Sequence, residues 1–438
     1  MFSRRNRRPT SPELAAAWEC LDGGDVPGAL SELRQAPSAP LGEVAVVVAR
    51  AAGAAGFDDL RKAAKELAEH PDRVRSLYDY GYACVERGVS YLAIPALREA
   101  VRLAPDSAGL LRELVSAYER EEWHREAVDV LLAREGGLAD WPDRYLLVFN
   151  AVLAGDLELA RLHHARLPAP DDEMWLGARD RQNLVLERAA GAGAVSPLGG
   201  TDLRGWQYVM GGTVLGTLSP FGFDAGMTGR YAWIQDSHEQ CLNGLLRLKS
   251  VLAAAGVQPR SVSLLPDRGS RILGLAAAEV LGLVTVPFEA GREDTVVIAY
   301  DLDETGRTEQ GAEAVQQLFH RAPGQVLHEH ASCWTDPPAV TADSVTFLHQ
   351  SVVAPWGERL LPGADGAVET GEPDTRPEAE IAAEIVASDP EPDGGDGQTP
   401  PDPVEALTEF AAGVRGTWLG GDRARLQSSG PVGSSRFM

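Results

Sequence analysis

Three prolines set the period of the chain's first third: Pro37, Pro71 and Pro105 follow one another at intervals of 34 residues. Proline lacks a backbone N–H and pushes its predecessor out of the α region, so a proline at constant phase marks a recurring helix end. The residues ahead of each proline repeat in kind. Eight positions earlier stand Ala29, Ala63 and Leu97, and four positions earlier stand Leu33, Leu67 and Val101. A helical hairpin recurring at this period cannot bury its apolar face alone, so neighbours must stack into one continuous core.

The clearest unit runs from Val74 to Ser107 and carries Leu77, Gly81, Cys84, Ala93, Leu97, Ala100 and Pro105. Gly81 and Ala93 are the small residues that let two helices approach, and Leu97 and Ala100 pack beneath them. The next unit keeps Leu111, Leu114, Tyr118, Ala127 and Leu131 in phase, with Val115 at the place of the small glycine. In these residues, 74–134, the chain resembles the tetratricopeptide repeats. Extending the phase predicts helix pairs near 12–36, 43–70, 74–104, 108–134 and 142–167, with Gly-Asp turns at Gly24-Asp25 and Gly155-Asp156. A further helix near 172–190 would cap the stack, and Ala-Gly-Ala-Gly-Ala at 190–194 would form the linker after it. The expectation is an all-α repeat domain over 11–190. The resemblance implies a groove for a protein partner; the alternative is that the stack covers the second half of its own chain.

From Leu203 the texture changes. Alternation predicts strands at Trp206–Met210 and Thr213–Thr217, then a helix near 236–255, a strand over Ser261–Leu265 and a helix near 270–281. Strands over Leu283–Phe288 and Thr295–Asp301 and a helix near 309–321 complete the pattern. Strands alternating with helices predict an α/β domain with a mainly parallel sheet, here placed at 203–361. Ligands of such sheets sit beyond the carboxyl ends of the strands.

Two loops fall there. One is Asp301-Leu-Asp-Glu-Thr-Gly-Arg-Thr308, between a buried strand and a helix N-terminus; the other is Pro266-Asp-Arg-Gly-Ser270. In the order and spacing of these loops, residues 205–360 resemble the type I phosphoribosyltransferase fold. The resemblance implies that Thr305, Gly306, Arg307 and Thr308 cradle a 5-phosphate while Asp301 holds ribose hydroxyls. It also implies that Asp267, Arg268, Gly269 and Ser270 form a pyrophosphate loop. The pattern departs from the family at two positions: Tyr300 replaces the first acid, and Glu304, preceded by Asp303, replaces the first threonine. Carboxylates in a phosphate cradle oppose a phosphate by an amount on the order of a kcal/mol each. The other reading of Asp301–Thr308 is a strand exit with an N-cap at Thr308.

The remaining signals are fewer. A formal net charge of −24 argues against nucleic acid as a partner. Four cysteines, Cys20, Cys84, Cys241 and Cys333, lie far apart and suit free thiols in a reducing, cytoplasmic setting. Nothing long and apolar enough to cross a membrane is present, and the arginines of Met1–Pro9 read as a solvated tail. His328-Glu-His330 with Cys333 has ligand types for zinc but lacks a fourth ligand and a fixed spacing, so it reads as a polar edge strand and no metal is assigned. Residues 362–403 hold twelve Asp and Glu against one Arg, with many Pro and Gly, and are expected to form a disordered acidic linker. Val404–Leu419 has near-helical apolar spacing, which predicts a short docking helix before a tail to residue 438.

Together these features predict a non-catalytic interaction adaptor, with a degenerate phosphoribosyltransferase-like domain that binds at most a phosphorylated nucleotide or sugar. No catalytic residue and no cofactor is assigned. The alternative is an active enzyme on a phosphoribosyl or nucleotide substrate, recruited by the repeats, and only then is magnesium required.

Overall fold

A computed structural model describes residues 8–363, 367–390, 394–426 and 428–434. Arg4, Arg5 and Arg7 of the leading tail and Arg436 of the trailing one lie outside the described residues. The chain divides into two compact units, 1–168 and 169–438.

The first unit is all helical. Its helices pair in sequence order: α1 (Ala15–Asp22) with α2 (Val26–Arg34), α3 (Leu41–Ala55) with α4 (Asp58–Glu69), and α5 (Val74–Glu86) with α6 (Ser90–Leu103). Then α7 (Ala108–Arg120) pairs with α8 (His124–Leu132), and α9 (Tyr145–Leu153) with α10 (Leu157–Arg166). Each predicted pair is present. The periodic prolines stand just beyond the ends of α2, α4 and α6, where a missing N–H costs nothing. Gly24 and Gly155 take φ +80°, a left-handed turn that suits glycine. Asp25 and Asp156 then cap the following helices through Gly28 N and Leu159 N. At Gly81 a Cβ would lie 2.5 Å from Leu97 Cγ, so the helices of that pair touch through a glycine.

The second unit is an α/β layer structure. Its parallel sheet runs β1-β7-β6-β5-β3-β4, with β2 also paired to β7. The strands are β1 (Val214–Leu215), β2 (Tyr231–Gln235), β3 (Ser261–Leu264), β4 (Val284–Pro287), β5 (Thr295–Ala299), β6 (Val326–Cys333) and β7 (Ser344–Val353). Strand β5 is buried along its whole length, as its run of Val and Ile requires. Helices α13 (His238–Ala255) and α14 (Arg268–Leu281) pack together and onto these strands.

Several expectations need correction. Trp206–Met210 is not a strand but part of α12 (Leu203–Gly211), capped by Asp202 on Gly205 N; every side from Leu203 to Val209 is buried, so its alternation carried no information. The helix predicted near 172–190 is α11 (Leu176–Ala192), which falls in the second unit and packs on α12. Within 362–403 a hairpin of β8 (Leu360–Pro362) and β9 (Val368–Thr370) precedes α17 (Glu378–Ala387). That helix buries Ile381, Ala382 and Ile385 against α14, an apolar strip that the segment's acidic average conceals. Finally, α18 (Val404–Val414) buries Leu407, Phe410, Ala411 and Val414 and packs on α13 and α11.

Candidate functional site

The two loops singled out by sequence lie side by side, at the carboxyl ends of the neighbouring strands β3 and β5. They touch directly. Thr305 Oγ1 donates to Asp267 Oδ2 at 2.8 Å, and Ser270 Oγ lies 3.3 Å from the same threonine oxygen. The sequence predicts separate holds on one ligand; the structure shows loops that hold each other.

Most of the polar side chains proposed for a ligand have partners within the protein. Asp301 Oδ1 accepts from Asp303 N at 2.8 Å and Glu304 N at 3.3 Å, capping a single turn, α15 (Leu302–Thr305). Thr308 caps α16 (Glu309–Gln317) by accepting from Gly311 N. Asp267 caps α14 by accepting from Ser270 N, and Ser270 Oγ in turn accepts from Tyr300 N. Arg268 points elsewhere and donates to the backbone oxygens of Asp374 and Arg376. Gly269 abuts Tyr300 and Trp356, Gly306 ends the short turn, and Arg307 is exposed.

The loop end is acidic and partly buried. Burial raises Asp301 despite the backbone N–H groups it accepts from, and burial followed by the neighbouring carboxylates Asp301 and Asp336 lifts Asp303 to about 6. Glu329, buried on β6, accepts from Leu302 N at 2.8 Å; burial and Asp301 push its carboxyl well above the usual range. Such a place disfavours another anion.

Tyr300, the departure from the acidic pattern, has a purpose of its own. Its hydroxyl donates to Asp236 Oδ2 at 3.0 Å, and its ring packs against Trp356. His330 Nε2 lies 3.1 Å and Cys241 Sγ 3.5 Å from the same carboxylate oxygen, while Ser237 N donates to Asp236 Oδ1. The far nitrogen of His330 meets Thr346 Oγ1, which also reaches His328 Nε2. The His-Glu-His segment is therefore not a polar edge: β6 lies between β5 and β7 and its histidines are buried. Burial holds His328 down at about 3, so both ring nitrogens serve as neutral hydrogen-bonding groups. Cys333 does not join them; its sulfur lies near Thr335 Oγ1 and Gln350 O.

Asp236, Cys241 and His330 present donor atoms within 4.8 Å of one another, all buried, and these are types that zinc accepts. Asp236 Oδ2 is nevertheless satisfied by its three neighbours, which is the arrangement of a closed hydrogen-bond network. Sequence reasoning missed Asp236 because its partners Tyr300 and His330 lie 64 and 94 residues away in the chain, and with it Cys241, whose role comes only from Asp236. No protein-family model matches the chain, and no curated protein matches it.

Proposed function

We propose that this chain is a non-catalytic interaction protein. Its helical pairs, of the tetratricopeptide kind, present a groove to a protein partner, and its α/β unit is a phosphoribosyltransferase-like domain whose ligand site has lapsed. The helix pairing, the phase of the prolines and the close Gly81–Leu97 contact support the first part. Parallel order with both loops on adjacent strand ends supports the second.

The observation that carries the lapsed reading is the bond between Thr305 and Asp267. A phosphate cradle needs its hydroxyl and amide donors pointing at open space. Here the threonine is committed across the gap, Asp301 occupies the amides of the following turn, and the surrounding carboxylates repel a further anion.

Calorimetry with phosphoribosyl pyrophosphate, with and without magnesium, tests this. No binding is expected at ligand concentrations on the order of 1 mM. A dissociation constant in the low micromolar range would overturn the lapsed reading and restore the enzyme alternative.

A further inference from the structure

We propose that the α/β unit contains a second, separate site, for a small organic carboxylate with an apolar body, in which the Asp402 side chain stands in for the ligand's anionic group. A cavity of about 420 Å³ lies between α13, the first residues of β7 and the segment 394–403. That volume falls in the range of small-molecule sites. Leu218, Tyr231, Phe347 and Pro400 give it an apolar wall.

One end of the cavity is built for an anion. Arg204 Nη2 donates to both oxygens of Asp402, at 2.8 and 3.0 Å, a charge-assisted contact made by one nitrogen. Arg247 Nη1 lies 3.3 Å and Leu218 N 3.0 Å from Oδ2 of the same carboxylate. Both arginines are nearly buried, with side chains 9% and 12% exposed. Each guanidinium also has partners besides the Asp402 carboxylate: Arg204 Nε donates to Leu215 O at 2.7 Å, Arg247 Nη1 to Gly216 O at 2.8 Å and Arg247 Nε to Asn243 Oδ1 at 3.2 Å. Arg247 Nη2 also donates to the backbone oxygen of Asp402 at 2.7 Å. Two buried guanidiniums left without an anion would be costly, so the position calls for a carboxylate at all times.

The carboxylate that fills the position comes from a proline-rich segment. Asp402 lies in Thr399-Pro-Pro-Asp-Pro403, where three prolines offer no N–H to bind the rest of the fold. A structural latch alone would account for the ion pairs but not for the apolar hollow beside them. A ligand whose carboxylate takes the place of Asp402 and whose body fills the hollow accounts for both.

Calorimetry of the full chain with octanoate tests the site, with 1-octanol as the uncharged control and inorganic phosphate as the control without an apolar body. Octanoate is expected to bind at least tenfold more tightly than either. Asp402→Asn removes the internal competitor and should tighten octanoate binding about tenfold, a gain that misfolding cannot produce. Adding Arg247→Met to that variant should remove the gain. In wild type, octanoate should also speed proteolysis within 394–403, a readout that stands if the variants fold poorly. Equal binding of octanoate and octanol, or protection of 394–403 by octanoate, would overturn the proposal, as would an Asp402→Asn protein that folds and binds no tighter.

Discussion

Opposite ends of the parallel sheet treat buried carboxylates in opposite ways. At the amino end of β7, Asp343 is matched: Arg423 Nη2 donates to it at 2.9 Å, Arg321 donates to its other oxygen, and Leu327 N adds a third bond. Burial pushes Asp343 up, yet Arg423 and Arg321 outweigh it and hold the carboxyl below its ordinary value. At the carboxyl end of β5, burial raises Asp301 against the backbone hydrogen bonds of Glu304 and Asp303 and the exposed Arg307, and burial with Asp301 and Asp336 raises Asp303 against Arg425 and Arg307. One end uses charge to hold the fold together. The other keeps acidic groups at a cost to the fold, which agrees with the lapsed site proposed above.

The sharpest way to break this comparison is to remove the matching cation. Arg423 is fully buried and also donates to Leu318 O, Gln325 Oε1 and Gln325 O. Arg423→Met should leave Asp343 underpaired and cost about 3–5 kcal/mol, read as a fall in the urea midpoint. The deficit should shrink in acid, because a depressed carboxyl contributes stability above its unfolded pKa and loses it as pH falls through the folded one. A loss below about 1 kcal/mol would mean that the amino end is no better matched than the carboxyl end.

The repeat unit offers a packing change to set beside the electrostatic one. Gly81→Leu forces a side chain into Leu97 and should cost roughly 1–3 kcal/mol by overpacking. Its effect on the thermal loss of helical circular dichroism should be the same at pH 5 and pH 7.5. A pH-dependent loss would show that titrating groups, rather than the glycine contact, govern that pair.

These positions also explain what the sequence could reveal. The repeats were legible because their contacts are local: a proline, a glycine and an N-capping aspartate each act within a few residues of themselves. Strands β3, β4 and β5 and the two loops were legible for the same reason, through apolar runs ending in caps, whereas β2 and β7 were not read as strands. Arg423 and Asp343 lie 80 residues apart, and Arg204 and Asp402 lie 198 apart. No local pattern announces such pairs, so the C-terminal segment read as a tether with a tail although it completes the sheet's core. The roles of Tyr300 and His330 were hidden likewise, because Asp236 gives each its meaning from a distant loop.

The smallest expected effect tests the acidic end. Asp303 titrates at about 6 in the folded protein against 3.8 for an unshifted aspartate, so the folded state binds its proton more tightly than the unfolded chain does. Stability from this group is therefore full below about pH 4 and declines as pH rises through about 6. Asp303→Asn cannot ionise and escapes that decline. The variant should match wild type below pH 4 and gain through the window, reaching a melting temperature higher by about 1–3 °C at pH 7.5; the gain stays small because the side chain is half exposed. His328, which burial holds at about 3, acts in the reverse direction by withdrawing stability as pH falls below the usual histidine range. It does so equally in both proteins and cancels in their difference. If the variant's advantage instead grew in acid, Asp303 would have a cationic partner, and the contrast between the two ends of the sheet would not hold.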